Sequence, residues 1–140
     1  MTEQHSIPII SLDDLAPVTI SGGSVYRMLT PQTVGSTTGN MGMLRLNPGE
    51  WNTEHIHPYS EEYVMVLQGP LLIRIDDVPY TMQTHEALIV PINARHRLSN
   101  EGETEVVVIY TLAPLPPPGE AMHIFTEPLP AGASGESLAD

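Results

Sequence analysis

The sequence predicts an all-β domain, a sandwich or barrel of antiparallel sheets. Apolar runs of about five to eight residues recur, each closed off by Gly, Pro, Asn or Asp, which is the pattern of strands. They are "GMLRLNPG", "EYVMVLQG", "PLLIRIDD", "EALIVP" and "EVVVIYTLAP". No stretch keeps a 3.6-residue apolar period over a dozen positions, so no long amphipathic helix is expected. The chain has 140 residues, enough for one buried core, and its 11 Gly and 14 Pro interrupt it too often for long helices.

Taken in order, residues 1–39 carry weaker strand signals in "IPIIS", "VTIS" and "SVYRML", then the polar, Gly-rich "TVGSTTGN". They are expected to supply N-terminal strands and a loop that pack on the barrel or exchange with a neighbour. Residues 40–113 hold the five strong runs and form the barrel core. Residues 114–140 make a Pro-rich tail. The prolines of "APLPPPGE" donate no backbone hydrogen bond and cannot continue a central strand. The final "PAGASGESLAD" is small and polar and is expected to be disordered. No repeat of domain-building length and no second domain is evident.

Charge narrows the function. Seventeen acidic residues face five basic ones, a formal charge of −12. Such a surface repels phosphate backbones and anionic lipid, which argues against nucleic-acid and membrane-surface roles. The five basic residues are all arginines (Arg27, Arg45, Arg74, Arg95 and Arg97), so Schiff-base chemistry has no lysine to use. With no cysteine, thiolate nucleophiles, disulfides and sulfur ligands drop out together. The N-terminus lacks the basic start and apolar core of a signal peptide, and no run approaches the roughly 18 apolar residues of a membrane span. A cytoplasmic protein is expected.

The chemistry sits in "EHIHPYSEEYVMVLQG", residues 54–69. Residues two apart on a strand face the same side, so His55 and His57 project together and Thr53 joins them. "HPYS" turns the chain, and Glu62 begins the next strand, expected to lie beside the first at about 4.8 Å. Parity favours Glu62 over Glu61 as the inward carboxylate. In "HEALIVPINARHRLSN", His96 follows a turn and opens another short run. Folded back beside the first pair, it completes three imidazoles and one carboxylate, a nitrogen–oxygen set for one divalent transition metal per chain: zinc, iron, manganese, nickel or cobalt.

Gly49, His55, His57, Glu62 and Gly69 stand at the spacings of the first cupin motif. The second motif is matched at Pro91, His96 and Asn100, with His85 and Asn93 where the family has glycines. The chain thus resembles the cupins, which implies a double-stranded β-helix, or jelly-roll barrel, with His55, His57, Glu62 and His96 as the metal ligands. Asn93 tolerates a left-handed backbone, whereas His85 puts its turn in doubt. Beyond the ligands, "EHIHPYSEEYVMVLQG", "ALIVPINARHRLSNEGETEVVVIYTLAPL" and "HIFTE" resemble the small single-domain cupin cyclases of bacterial aromatic polyketide pathways, of tetracenomycin and resistomycin type. That resemblance implies a small-molecule polyketide or aromatic substrate, metal-assisted ring closure and a homodimer.

Arg95 and Arg97 flank His96 and should point away from the metal, towards surface acids. Tyr63 is out of register with Glu62 and belongs to the core or an interface, and Tyr59 is placed to rim the barrel mouth. His123 lies beyond the proline run, where nothing structural demands histidine; a tail folded back onto the pocket would make it a catalytic base. Met41, Met43, Val64, Met65 and Val66 are expected in the core, with Val64 and Val66 lining the cavity below Glu62. Two rival functions share the same ligands. One is an iron-dependent oxygenase, since such sites also bind iron and oxygen. The other is a non-catalytic ligand-binding cupin whose metal is held in a closed tetrahedron.

Overall fold

The computed structural model describes residues 6–130. The strands found there are β1 Ser24–Leu29, β2 Asn40–Leu46, β3 Trp51–Ile56, β4 Glu61–Gln68, β5 Leu71–Ile75, β6 Val78–Met82, β7 Ala87–Val90, β8 His96–Ser99, β9 Val106–Ala113 and β10 Ile124–Phe125. All pair antiparallel, in two five-stranded sheets ordered β1-β2-β9-β4-β7 and β10-β3-β8-β5-β6. The inner faces meet in one core: Leu44, Leu46, Val64, Val66, Val106 and Val108 from the first sheet lie against Leu71, Ile73 and Leu98 from the second. This is the arrangement of antiparallel sheets that the strand pattern predicts, in the jelly-roll form that the family resemblance implies. Each such side chain stabilises the fold by about 1.5–3 kcal/mol relative to exposure, before its ordering cost.

The five strong runs are β2, β4, β5, β7 and β9, and "SVYRML" is β1. "VTIS" yields only an isolated bridge, Val18 to Val25, and "IPIIS" forms no strand, leaving Ile7 and Ile9 exposed. The segment before β2 holds one helical turn, α1 Pro31–Val34, capped reciprocally by Thr30 and Thr33 and closed by Gly35 at φ +67. Two strands go beyond the sequence expectation. β6 contains Pro79 and is largely exposed, which fits its place at a sheet edge. β10 comes from the Pro-rich segment and pairs with β3, setting Phe125 opposite His55. The disorder expected at the chain end falls on residues 131–140, outside those described.

Strand parity settles what faces inward. Leu44 and Leu46 are buried, while Met43 and Arg45 stand half-buried on the outer face of β2. The expectation that Met41, Met43 and Met65 join the core is therefore corrected. Each sits one position out of step with the buried Leu44 or Val64, and Met41 is 37% exposed.

Two turns carry left-handed residues. His85 has φ +69 and Asn93 has φ +66, a conformation natural to the glycines expected there. The residue departs from the motif, but the turn does not. His85 N–H donates to Val66 O at 2.7 Å and Asn93 N–H to His57 O at 3.1 Å. These bonds offset the roughly 1–2 kcal/mol that the left-handed region costs a side chain. Asn100 ties the sheets below the site. Its Nδ2 donates to Leu46 O and Thr104 O, and its own carbonyl accepts from Gly49 N–H. No helix among the described residues is long and apolar enough to cross a membrane.

Candidate metal centre

β3 presents His55, and His57 follows just past its end. β8 opens on His96, which stands opposite His55 in the β3–β8 register. Glu62 arrives differently from the expectation. β4 is not hydrogen-bonded to β3 but belongs to the other sheet, so its carboxylate meets the imidazoles across the barrel interior. Period-two alternation places Glu62 on the inner face either way, because both sheets turn their inner faces to the same core. All four residues are buried, His96 fully and Glu62 at 8% exposure.

Each ring is held from behind by a main-chain carbonyl. His55 Nδ1 lies 2.7 Å from Thr53 O, His57 Nδ1 2.9 Å from Met122 O, and His96 Nδ1 3.0 Å from Ala94 O. A carbonyl only accepts, so each Nδ1 carries the proton and donates it, leaving Nε2 a bare lone pair. The three rings cluster at centroid distances of 4.2–5.0 Å. His96 Nε2 is 2.7 Å and His57 Nε2 3.5 Å from Glu62 Oε2. With Nδ1 protonated, these approaches set lone pair against lone pair. His57 Nε2, His96 Nε2 and Glu62 Oε2 are buried with no conventional hydrogen-bond partner. Such a cluster needs a cation at its centre.

The electrostatics show how a proton serves when no metal does. For Glu62, burial is the largest influence and pushes its proton affinity up, but His96 and His57 together outweigh it and hold the carboxyl well below the usual range. For His96, burial disfavours the charged ring, yet Glu62 overrides it and raises the pKa. His55 is lowered well below the ordinary value by burial, then by His96 and His57. In the absence of a metal, a proton on His96 Nε2 would be held against Glu62 Oε2 at 2.7 Å. The four ligand atoms lie within 4.8 Å of one another, and a metal ion would replace that proton.

Beside the ligands is a cavity of about 70 Å³ lined by His55, His57 and Glu62, by apolar residues such as Leu44, Leu98 and Val108, and by Arg27, Tyr110 and His123. The C-terminal segment forms part of its wall. His123 is there, with ring centroids 5.8 Å from His55 and 6.1 Å from His57, and its Nε2 is buried without a hydrogen-bond partner. Burial, then His57 and Arg27, lower its pKa to about 4, so the ring is neutral at neutral pH.

The other candidates sort as follows. Glu61 stays outside the site, accepting from Tyr63 Oη at 3.0 Å. Arg95 pairs with Asp77 at 2.7 Å, and Arg97 pairs with Glu127 at 2.9 Å while stacking over Trp51. Tyr59 interacts with Glu120 and does not line the cavity. Val64 and Val66 lie in the core beside the cavity instead of forming its wall. Sequence reasoning missed Arg27, Tyr110 and Asn52. Asn52 turns inward because the β3–β8 register shifts between it and His55, burying Asn52 and Thr53 in succession. Arg27 and Tyr110 were discoverable by parity, since they share faces with Val25 and Val108.

Residues 42–112 match the family described as "Cupin domain". The chain belongs to the cupin family. This cupin is 42% identical over 127 residues to Protein SchB of Streptomyces halstedii, covering 91% of each chain. It is 38% identical over 125 residues to the tetracenomycin polyketide synthase protein TcmJ of Streptomyces glaucescens, covering 89% of this chain and 84% of that one. In fold it is similar to a crystal structure of a predicted oxalate decarboxylase from Thermotoga maritima, with a TM-score of 0.67 and 16% identity over 77% of this chain and all of the other.

Metal loading gives a direct check. About one divalent ion per chain is expected by elemental analysis, with His57→Ala, His96→Ala and Glu62→Gln losing most of it and Glu61→Gln retaining it. Equal loss in the two glutamate variants would break the assignment of faces. Because the ion must displace a proton from a His96 of raised pKa, affinity is expected to fall as pH drops, beginning above the ordinary histidine value of about 6.5. A titration with zinc across that range, showing no pH dependence, would contradict the proton held at His96.

Proposed function

We propose that this cupin is a cytoplasmic, metal-dependent enzyme that closes a ring on an aromatic polyketide intermediate. The observation that carries the reading is the buried three-histidine, one-carboxylate cluster opening onto a cavity that also holds an unpartnered neutral histidine. The similarity to a protein named for tetracenomycin polyketide synthase supplies the substrate class. When bound, a divalent ion in this site supplies Lewis-acid polarisation of a substrate carbonyl.

The chain's own residues do the rest. His123 is neutral and accepts the proton of a carbon flanked by two carbonyls. The carbon's electron pair then forms the new bond to the carbon of a third, more distant carbonyl, whose oxygen takes up a proton, and His123 returns to its neutral form. Loss of water follows, so no oxidant enters the balance. The cavity is small beside the roughly 300–1,000 Å³ of pockets that enclose drug-sized ligands. It therefore takes the reacting part of the chain, with the apolar walls limiting which carbon reaches which carbonyl, an orientation effect. His57 and the cover are linked, because Met122 of the C-terminal segment supplies the carbonyl that orients His57.

A homodimer completes the reading. The outer face of the first sheet carries the cross-strand row Leu29, Met41, Thr111, Tyr63 and Ile89, of which Tyr63 is 47% exposed. A second copy set against this uncharged row would avoid the repulsion of two acidic surfaces. Sedimentation should show a dimer that Ile89→Glu dissociates; a wild-type monomer at working concentration would refute it.

Ring closure should run at full rate in anaerobic buffer and with zinc in place of any redox metal, giving a product altered only by rearrangement or loss of water. Stoichiometric oxygen uptake, with oxygen mass in the product, would make the protein an oxygenase. Tight binding of a polyketide without turnover would make it a binding protein.

His123→Gln should lower kcat by about 10²–10⁴-fold at unchanged metal content. A deletion of residues 114–140 would be less informative, because it would also remove the Met122 carbonyl from His57. Full turnover by His123→Gln would move the base elsewhere.

A further inference from the structure

Opposite the three histidines, the wall of the cavity is the inner face of the first sheet, which also carries Glu62. One cross-strand row there runs Arg27 on β1, Gly42 on β2 and Tyr110 on β9. Arg27 and Tyr110 both line the cavity. Gly42, between them, has no side chain, and the Tyr110 phenol lies over it: a Cβ at Gly42 would collide with the Tyr110 hydroxyl and come within 2.6 Å of the ring carbon that bears it. The missing side chain thus lets the phenol reach along the row towards the arginine's strand. Any larger residue at position 42 would displace it.

Among the described residues lining the cavity, Arg27 is the only lysine or arginine. It belongs to a protein with a formal charge of −12. Its charge is felt across the cavity, since it is one of the influences, after burial and His57, that lower the His123 pKa.

We propose that Arg27 and Tyr110 form an anion-binding site facing the metal centre, which grips a planar two-oxygen anion of the substrate, a carboxylate or the enolate of a 1,3-dicarbonyl. A guanidinium offers paired N–H donors at the spacing of two such oxygens, and the phenol adds a third donor. The neutral ketones of a polyketide gain less from this pair, so the site fixes which end of the chain enters. The polyketide identity of the substrate rests on the reading above; the anion site itself does not.

The test is a calorimetric titration of the zinc-loaded protein with two probes, benzoate as carboxylate and 1,3-cyclohexanedione as enolate, and with neutral cyclohexanone as control. Both anions should bind more tightly than cyclohexanone. Arg27→Gln should weaken anion binding about tenfold or more, with Arg27→Lys intermediate and Tyr110→Phe showing a smaller loss. Tighter binding of the dione would identify an enolised segment as the natural anion, and tighter binding of benzoate a free carboxyl end. Unchanged affinity in Arg27→Gln or Arg27→Lys at wild-type zinc content would overturn the proposal, as would failure of the wild type to bind either anion. Since the readout is binding, a protein that closes no ring still passes or fails this test independently.

Discussion

Three main-chain carbonyls, of Thr53, Ala94 and Met122, each accept the Nδ1 proton of one histidine and so turn three bare Nε2 atoms towards a single point. Glu62 is delivered to that point from the opposite sheet. The arrangement is electrostatically costly without a cation, because buried lone pairs face one another at 2.7 and 3.5 Å. A positive charge at that point, proton or metal, would join the two sheets at one end, and apolar packing and the bonds of Asn100 join them at the other. The C-terminal segment is drawn into the same constraint. Met122 is 3% exposed, its carbonyl fixes His57, and the two residues of β10 extend the second sheet beside His55.

Much of this was visible in the residues themselves. His55, His57 and His96 could be grouped because spacing and parity are local properties, and the structure sets His55 directly opposite His96. What parity cannot give is the sheet to which a strand belongs. Glu62 was therefore placed on the correct face and beside the wrong neighbour. Apolar character misled for Met41 and Met65, where a hydrophobic side chain occupies an outer position that local sequence does not distinguish from a core one. β6 was hidden by Pro79 and by its exposure, and β10 by its brevity. Arg27 and Tyr110 meet only through the pairing of β1, β2 and β9, which brings together residues more than eighty positions apart in sequence.

The site combines features that suit the carbonyl chemistry proposed above. A cation position lies among three histidines and Glu62, and the guanidinium of Arg27 lines the same cavity. The cavity also holds His123, kept neutral by burial and by the positive groups around it. The space is small and mostly apolar, so a substrate is held by few contacts and its orientation depends on where charge sits. The relatives reported above include one named for polyketide synthase, whereas the similarity to the predicted oxalate decarboxylase, at 16% identity, is one of fold. The same scaffold thus serves different substrates through the residues that face its cavity.

The central claim is that backbone carbonyls set the tautomer of all three ligand histidines. Nitrogen-15 correlation spectra of the zinc-loaded protein, resolving both ring nitrogens of each histidine, test it most directly. The account predicts a protonated Nδ1 and a metal-bound Nε2 at His55, His57 and His96, with His123 uncoordinated. A metal-bound Nδ1 or a protonated Nε2 at any of the three would contradict it.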